Sequence, residues 1–220
     1  MERSDRIVAA LGRVATLAPT HLLGWLRRLP LAHAVRVGGV RVGVIHGDPE
    51  NLAGWALGVE HMQPIDVALR ATIACPADAP TTPPAQVRAW LAAAGVDVLA
   101  SAHTCLPFAQ RFGAGAVFNG GAAGLPCFAG TRHGIATRVA ADLRPPPDSL
   151  YGCEISAGGA GGGRARVDCV PVRYDAAGFE AWFRGLWPEG SDAHTSYMRR
   201  ILHGPSGFTV AMANRLGLAH

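Results

Sequence analysis

Three short apolar runs between residues 40 and 119 each break off into a loop of unusual make-up. VRVGVI runs into His46-Gly47-Asp48-Pro49-Glu50, VDVLAS into Ala102-His103-Thr104-Cys105-Leu106-Pro107, and GAVF into Asn119-Gly120-Gly121-Ala122-Ala123-Gly124. The run PPAQVRAWLAAAG lies among them, with prolines at its start and Gly95 past its end, the punctuation of a helix. Strands alternating with a helix specify an α/β fold. In open α/β sheets, ligands bind beyond the carboxyl ends of the strands. The three loops are therefore the first place to look for a site.

The remaining elements follow from periodicity and breakers. Residues 4–17 have helical spacing, with Ile7, Val8, Leu11 and Val14 on one side and Ser4 as a cap, and LLGWLRRLP gives a second short helix stopped by Pro30. AHAVRVGGVRVGVIH reads as a hairpin, with strands near 34–37 and 40–45 turning at Gly38-Gly39. Helix is expected within 51–72, a proline-rich loop at ACPADAPTTPP, and a strand at HGIATRVAA. LYGCEIS and RARVDCVPVRY are two strands joined by AGGAGGG. That glycine run lacks the Gly-Lys-Ser/Thr of a phosphate cradle and reads as a floppy hairpin loop. Helices near 175–185, 191–203 and 207–217 close the chain, with Asp175 and Ser191 as caps.

Composition narrows the classes. With 220 residues, 49% hydrophobic and 16% charged, the chain can bury a sizeable core. All 20 basic residues are arginine, the net charge is only +4, and the arginines are scattered rather than clustered, which argues against a nucleic-acid reader. Five cysteines without a CxxC pair fit reduced thiols, and no stretch approaches the roughly 20 apolar residues of a membrane helix. The expectation is a soluble, cytoplasmic protein that does not engage membranes.

His46 and His103 each follow an apolar strand closely. If those strands are neighbours about 4.8 Å apart, both imidazoles reach one cation, for which Mn, Fe and Zn are the natural choices. Asp48 would act behind them, accepting a ligand's N–H or holding a water. Cys105, two residues past His103, would share its face in an extended segment. The small residues of the Asn119–Gly124 turn would let backbone amides approach a substrate. His61, His133, His194 and His203 read as surface or capping residues, and the five tryptophans as packing groups.

The order of these motifs resembles the C-terminal half of the calcineurin-like metallophosphoesterases, whose pattern runs D-x-H, GD-x-x-D, GNH, HG and G-H-x-H, followed by an Asn/Gly turn. VIHGDPENLAGW is similar to the HG motif, VLASAHTCLPFAQRF to the G-H-x-H strand, and VFNGGAAGLPCFAGTRHGIATRV to the turn and the strand after it. The resemblance covers residues 22–140. It implies a partial metallophosphoesterase-type β-sandwich flanked by helices, with a C-terminal hairpin and helical extension. It divides the chain into N-terminal helices (1–33), the C-terminal half of the domain (34–175) and a helical extension (176–220). His46 and His103 would bind the same ion, and Cys105 would stand where a histidine binds a second one. Asn119, Gly120 and Gly121 would lie near a phosphate-ester substrate.

The first half of the family's pattern has no counterpart. The only acids before His46 are Glu2 and Asp5. A complete member would hold two divalent ions about 3.5 Å apart; two histidines and a cysteine imply at most one. The expectation is thus a truncated phosphoesterase, inactive as the 220-residue chain, that completes itself with further polypeptide, a homo-oligomer or a partner chain. The alternatives are a non-catalytic binding module that keeps the scaffold, and a cysteine hydrolase using Cys105 with a histidine.

Overall fold

The computed structural model describes residues 3–15, 20–158 and 162–218. Its elements in chain order are α1 (Arg3–Ala15), α2 (Thr20–Leu26), β1 (Ala32–Val37), β2 (Val40–Ile45), α3 (Val67–Thr72), α4 (Pro84–Ala94), β3 (Val98–Ser101), β4 (Phe108–Phe112) and β5 (Gly115–Asn119). They continue with β6 (Gly134–Ala140), β7 (Tyr151–Ser156), β8 (Arg164–Val172), α5 (Ala176–Leu186), α6 (Asp192–His203), α7 (Val210–Ala213) and β9 (Asn214–Arg215). The α/β class read from the strand–helix alternation is the class observed.

Two sheets form. The larger has the order β1-β2-β3-β5-β4-β9, and the smaller the order β6-β8-β7. Within the larger sheet β2, β3 and β5 are consecutive and parallel, paired through Val42–Val98 and Val44–Ala100 on one side and Val98–Ala116 and Ser101–Asn119 on the other. Their carboxyl ends, Ile45, Ser101 and Asn119, therefore lie side by side. The hairpins β1–β2 and β4–β5 flank this parallel trio. Gly38 and Gly39 make the first turn with φ of 56° and 89°, which side-chain-bearing residues rarely adopt. A Cβ on Gly38 would also collide with the Arg164 carbonyl at the start of β8.

The two sheets share one apolar core. Val42, Val98, Leu99, Val117 and Phe118 of the larger sheet join Ile135, Ile155, Val167 and Cys169 of the smaller in a continuous buried cluster. Helix α4 adds Val87 and Leu91, and Gly95 closes it in the left-handed conformation. A second cluster of Ile7, Phe183, Ala193, Met198 and Ile201 ties α1 to α5 and α6. Among the described residues no helix is long and apolar enough to cross a membrane.

Several element boundaries differ from expectation. Only Ile7 of the α1 stripe is buried; Val8 and Leu11 are exposed, and the side chains of Ser4 and Val14 lie outside the described residues. Within 51–72 only Val67–Thr72 is helical, because Asp48 and Asn51 fold the preceding residues into successive turns by bonding nearby backbone N–H groups. The strand β4 inside the Leu-Pro-Phe segment was not foreseen. The expected helix over 207–217 shrinks to four residues, because Asn214 and Arg215 pair with β4 instead. Asp175 and Ser191 cap α5 and α6 as their types predict, accepting from Gly178 and His194 N–H. The tip of the AGGAGGG loop, residues 159–161, lies outside the described residues.

Candidate metal-binding site

The parallel pairing of β2 and β3 brings the two histidines together. The ladder extends past the strand ends, with Ala102 N–H donating to the His46 carbonyl at 3.0 Å. His103 Nδ1 lies 3.2 Å from His46 Nε2, with ring centroids 5.0 Å apart and ring planes at 68°. Trp55 presents its indole to the other side of His103, at 5.3 Å between centroids, though the indole itself is 54% exposed.

The backbone that carries His103 is strained. Its φ is +53°, and Thr104 N–H donates to the Ala102 carbonyl at 2.6 Å, a three-residue reversal with His103 at its apex. Cys105 repeats the left-handed conformation at φ +60°. Such non-glycine conformations cost about 1–3 kcal/mol each, and they persist only where neighbours over-determine them. Two side chains do so here. Asn119 Nδ2 donates to the Ala102 carbonyl and to Thr104 Oγ1, while Arg200 Nη2 donates to the Cys105 carbonyl at 2.6 Å.

This turn corrects the role foreseen for Cys105. Residues 103–105 are not extended, so the two-residue spacing does not put both side chains on one face. The Cys105 thiol faces the His103 carbonyl at 3.3 Å. All five cysteines are free thiols, and burial pushes Cys169 up to about 12, away from nucleophilic use.

The other expected residues are committed within the fold. Asp48 is buried, and its carboxylate accepts from the N–H groups of Glu50, Asn51 and Ala56 at 2.8–3.1 Å, which shapes the loop that carries Trp55. Asn119 is 2% exposed; it donates to the Leu57 and Ala102 carbonyls and Thr104 Oγ1 and accepts from Gly121 N–H. Gly120 N–H is bonded to the Ser101 carbonyl. The donors foreseen for a substrate at Asn119, Gly120 and Gly121 are thus already paired, and this turn clamps three loops instead. Sequence reasoning missed Arg200 and took Trp55 only for a packing group.

The pair fits a cation's inner sphere in one measurable respect. His103 Nδ1 and His46 Nε2 share a hydrogen bond at 3.2 Å, and two nitrogens about 2.0–2.1 Å from one zinc ion would stand at a similar separation, about 3.3 Å, at the tetrahedral angle. Burial, and then the proximity of His46, lower the proton affinity of His103, against opposing contributions from the Ala53 backbone and Asp48. At neutral pH the ring is therefore neutral, the form that binds metal. Among the described residues, however, no group of three or more His, Cys, Asp or Glu side chains converges as a metal site.

The depressed His103 basicity has a consequence for stability. The unfolded chain takes up its proton near the ordinary histidine value of about 6.5, whereas the folded chain resists until lower pH. Between the two values the unfolded state binds more protons, so stability falls as pH drops. Urea midpoints should decline from pH 7.5 to pH 5, and a His103→Gln variant should show a shallower decline. Equal slopes would mean that His103 is not the titrating group.

No protein-family model matches the chain, and no curated protein matches it. Among solved structures, a hypothetical protein, PH1004, from Pyrococcus horikoshii OT3 is similar at 18% identity and a TM-score of 0.46, over 84% of this chain and 54% of that one. A metallophosphoesterase from Sphaerobacter thermophilus is similar at 17% identity and a TM-score of 0.46, over 86% of this chain and 63% of that one. Wild-type Vps29 complexed with zinc, from Entamoeba histolytica, gives 14% identity and a TM-score of 0.31, over 66% and 63% of the two chains. The chain spans between 54% and 63% of the length of these structures.

Proposed function

We propose that His46 and His103 hold one divalent cation, and that this half-centre belongs to a metal-dependent phosphoester hydrolase whose other ligands come from polypeptide beyond these 220 residues. The observation that carries the reading is the 3.2 Å approach of the two imidazole nitrogens. One of them is borne on a strained turn at the carboxyl ends of parallel strands.

Bound there, a Mn, Fe or Zn ion would lower the pKa of a coordinated water and polarise a phosphoryl oxygen. The chain's own residues do the rest. His46 and His103 offer the ring nitrogens Nε2 and Nδ1. Asn119 and Arg200 hold the loop that aims His103, and the Trp55 indole meets its ring in an edge contact.

A second reading, a non-catalytic module, draws on a different observation. Val8, Leu11, Leu22, Trp25, Leu26, Leu29 and Leu31 are all exposed, an apolar belt along the N-terminal helices and the approach to the edge strand β1. Such a belt marks a contact surface for other polypeptide, and both readings can use it.

Calorimetric titration with Mn²⁺ and with Zn²⁺ separates them from chance. The 220-residue chain should bind one equivalent weakly and turn over a generic aryl phosphate ester barely at all. His46→Ala and His103→Ala should each abolish the binding. Extending the chain with the in-frame upstream coding sequence should raise both affinity and turnover. Metal binding indifferent to both substitutions would overturn the assignment, and brisk hydrolysis by the 220 residues alone would show that ligands have been overlooked.

A further inference from the structure

Beside the histidine pair lies a recess of about 410 Å³ whose wall includes Trp55, Glu60, Thr104, Leu106, Arg199 and Arg200. It adjoins the site through three contacts: Trp55 packs on His103, Thr104 follows it in the chain, and Arg200 holds the Cys105 carbonyl. Its charges are unbalanced. Arg200 donates Nε to the Pro126 carbonyl and Nη2 to the Cys105 carbonyl, and Arg199 bonds Ser206 Oγ; no carboxylate among the described residues forms an ion pair with either. Against these two guanidiniums stands one acid, Glu60. That residue is 8% exposed, its Oε1 lies 3.9 Å from His61 Nε2, and its Oε2 is buried with no hydrogen-bond partner.

A buried carboxylate oxygen without a donor is costly, and guanidinium pairs free of carboxylates are the usual receptors for phosphate and carboxylate groups. We propose that this recess is a subsite for a small organic phosphate bearing an amino group, the anion bound by Arg199 and Arg200 and the ammonium paired with the Glu60 carboxylate. Placed against His103, it would receive the non-reacting, doubly functional half of the phosphoester. Its standing as a substrate subsite rests on the proposed cation centre; its capacity to bind does not. The indole of Trp55 and the side chain of Leu106 supply the apolar wall on which the carbon skeleton lies.

The two readings can fail separately in one set of titrations on the metal-free 220-residue chain at low salt. Phosphoethanolamine should bind about tenfold more tightly than methyl phosphate, a difference of about 1.4 kcal/mol. Arg199→Gln, at an exposed position that leaves the Cys105 contact intact, should weaken both ligands about tenfold while leaving zinc binding unchanged. Glu60→Gln should erase the preference for the amino group. His46→Ala should lose zinc and keep phosphoethanolamine. Circular dichroism establishes that each variant is folded. Equal binding of both ligands to wild type and Arg199→Gln, or no binding to wild type at all, overturns the subsite and leaves the cation centre standing.

Discussion

Asn119→Ala is expected to lower the free energy of unfolding by about 2–5 kcal/mol, the largest loss of any single substitution considered for this chain. The side chain sits at the carboxyl end of β5 and is 2% exposed. Its amide donates to the carbonyls of Leu57 and Ala102 and to Thr104 Oγ1, and its oxygen accepts from Gly121 N–H. Alanine fills none of these roles. It strands the buried Leu57 carbonyl and the Gly121 N–H at about 1–3 kcal/mol apiece, partly offset where the loops relax, while the Ala102 carbonyl keeps the Thr104 N–H. Asn119→Asp is no rescue, since it keeps the acceptor for Gly121 but turns a carboxylate oxygen toward three other oxygens. Urea unfolding of the three proteins measures the loss. Because Ala102 and Thr104 flank His103, zinc affinity should fall in Asn119→Ala even below the temperature at which the variant unfolds. A cost under about 1 kcal/mol would show that the loops around the site are held by other contacts, with Arg200 the first to test.

The same residue shows where sequence reasoning stopped. Strands β2, β3 and β5 were legible, because compact apolar runs bounded by glycine and polar residues have few other uses. So were the β1–β2 turn and the ends of α4, where glycine and proline act locally. That His46 and His103 follow neighbouring strands was a conjecture until pairing was seen, since parallel register is set by long-range packing. The conformation of residues 103–105 could not be read. An i, i+2 argument presumes extended backbone, and the left-handed pair is imposed by Asn119 and by Arg200, which is 95 residues from the carbonyl that it holds. Asn119 was taken as a ligand-facing group because an Asn-Gly-Gly turn looks the same whether its donors point outward or inward; only the burial of the neighbouring loops decides. The C-terminal helix failed for a related reason. Arg215 is drawn into a buried network with Gln110 Oε1 and the carbonyls of Met62 and Pro64, and these bonds outweigh the helical preference of residues 207–217.

If the strain at His103 is retained for cation binding, glycine and alanine should rank there in the reverse of their usual order. Both substitutions remove the imidazole, its contact with His46 and its edge-to-face contact with Trp55. They differ in the backbone. At φ +53° alanine carries the left-handed penalty of about 1–2 kcal/mol, and glycine does not. Glycine loses about 0.5–1 kcal/mol more entropy on folding, which leaves His103→Gly more stable than His103→Ala by about 1 kcal/mol. Neither variant should gain from zinc. The wild type should, by about 2.7 kcal/mol at a free zinc concentration 100 times the dissociation constant, because a ligand bound only by the folded state stabilises it by mass action. Thermal unfolding of the three proteins, with zinc and with a chelator, reads both effects at once. Alanine ranking above glycine would mean that the turn relaxes without the imidazole, and the strain would then belong to the ring contacts themselves. Zinc stabilisation surviving in either variant would place the cation elsewhere.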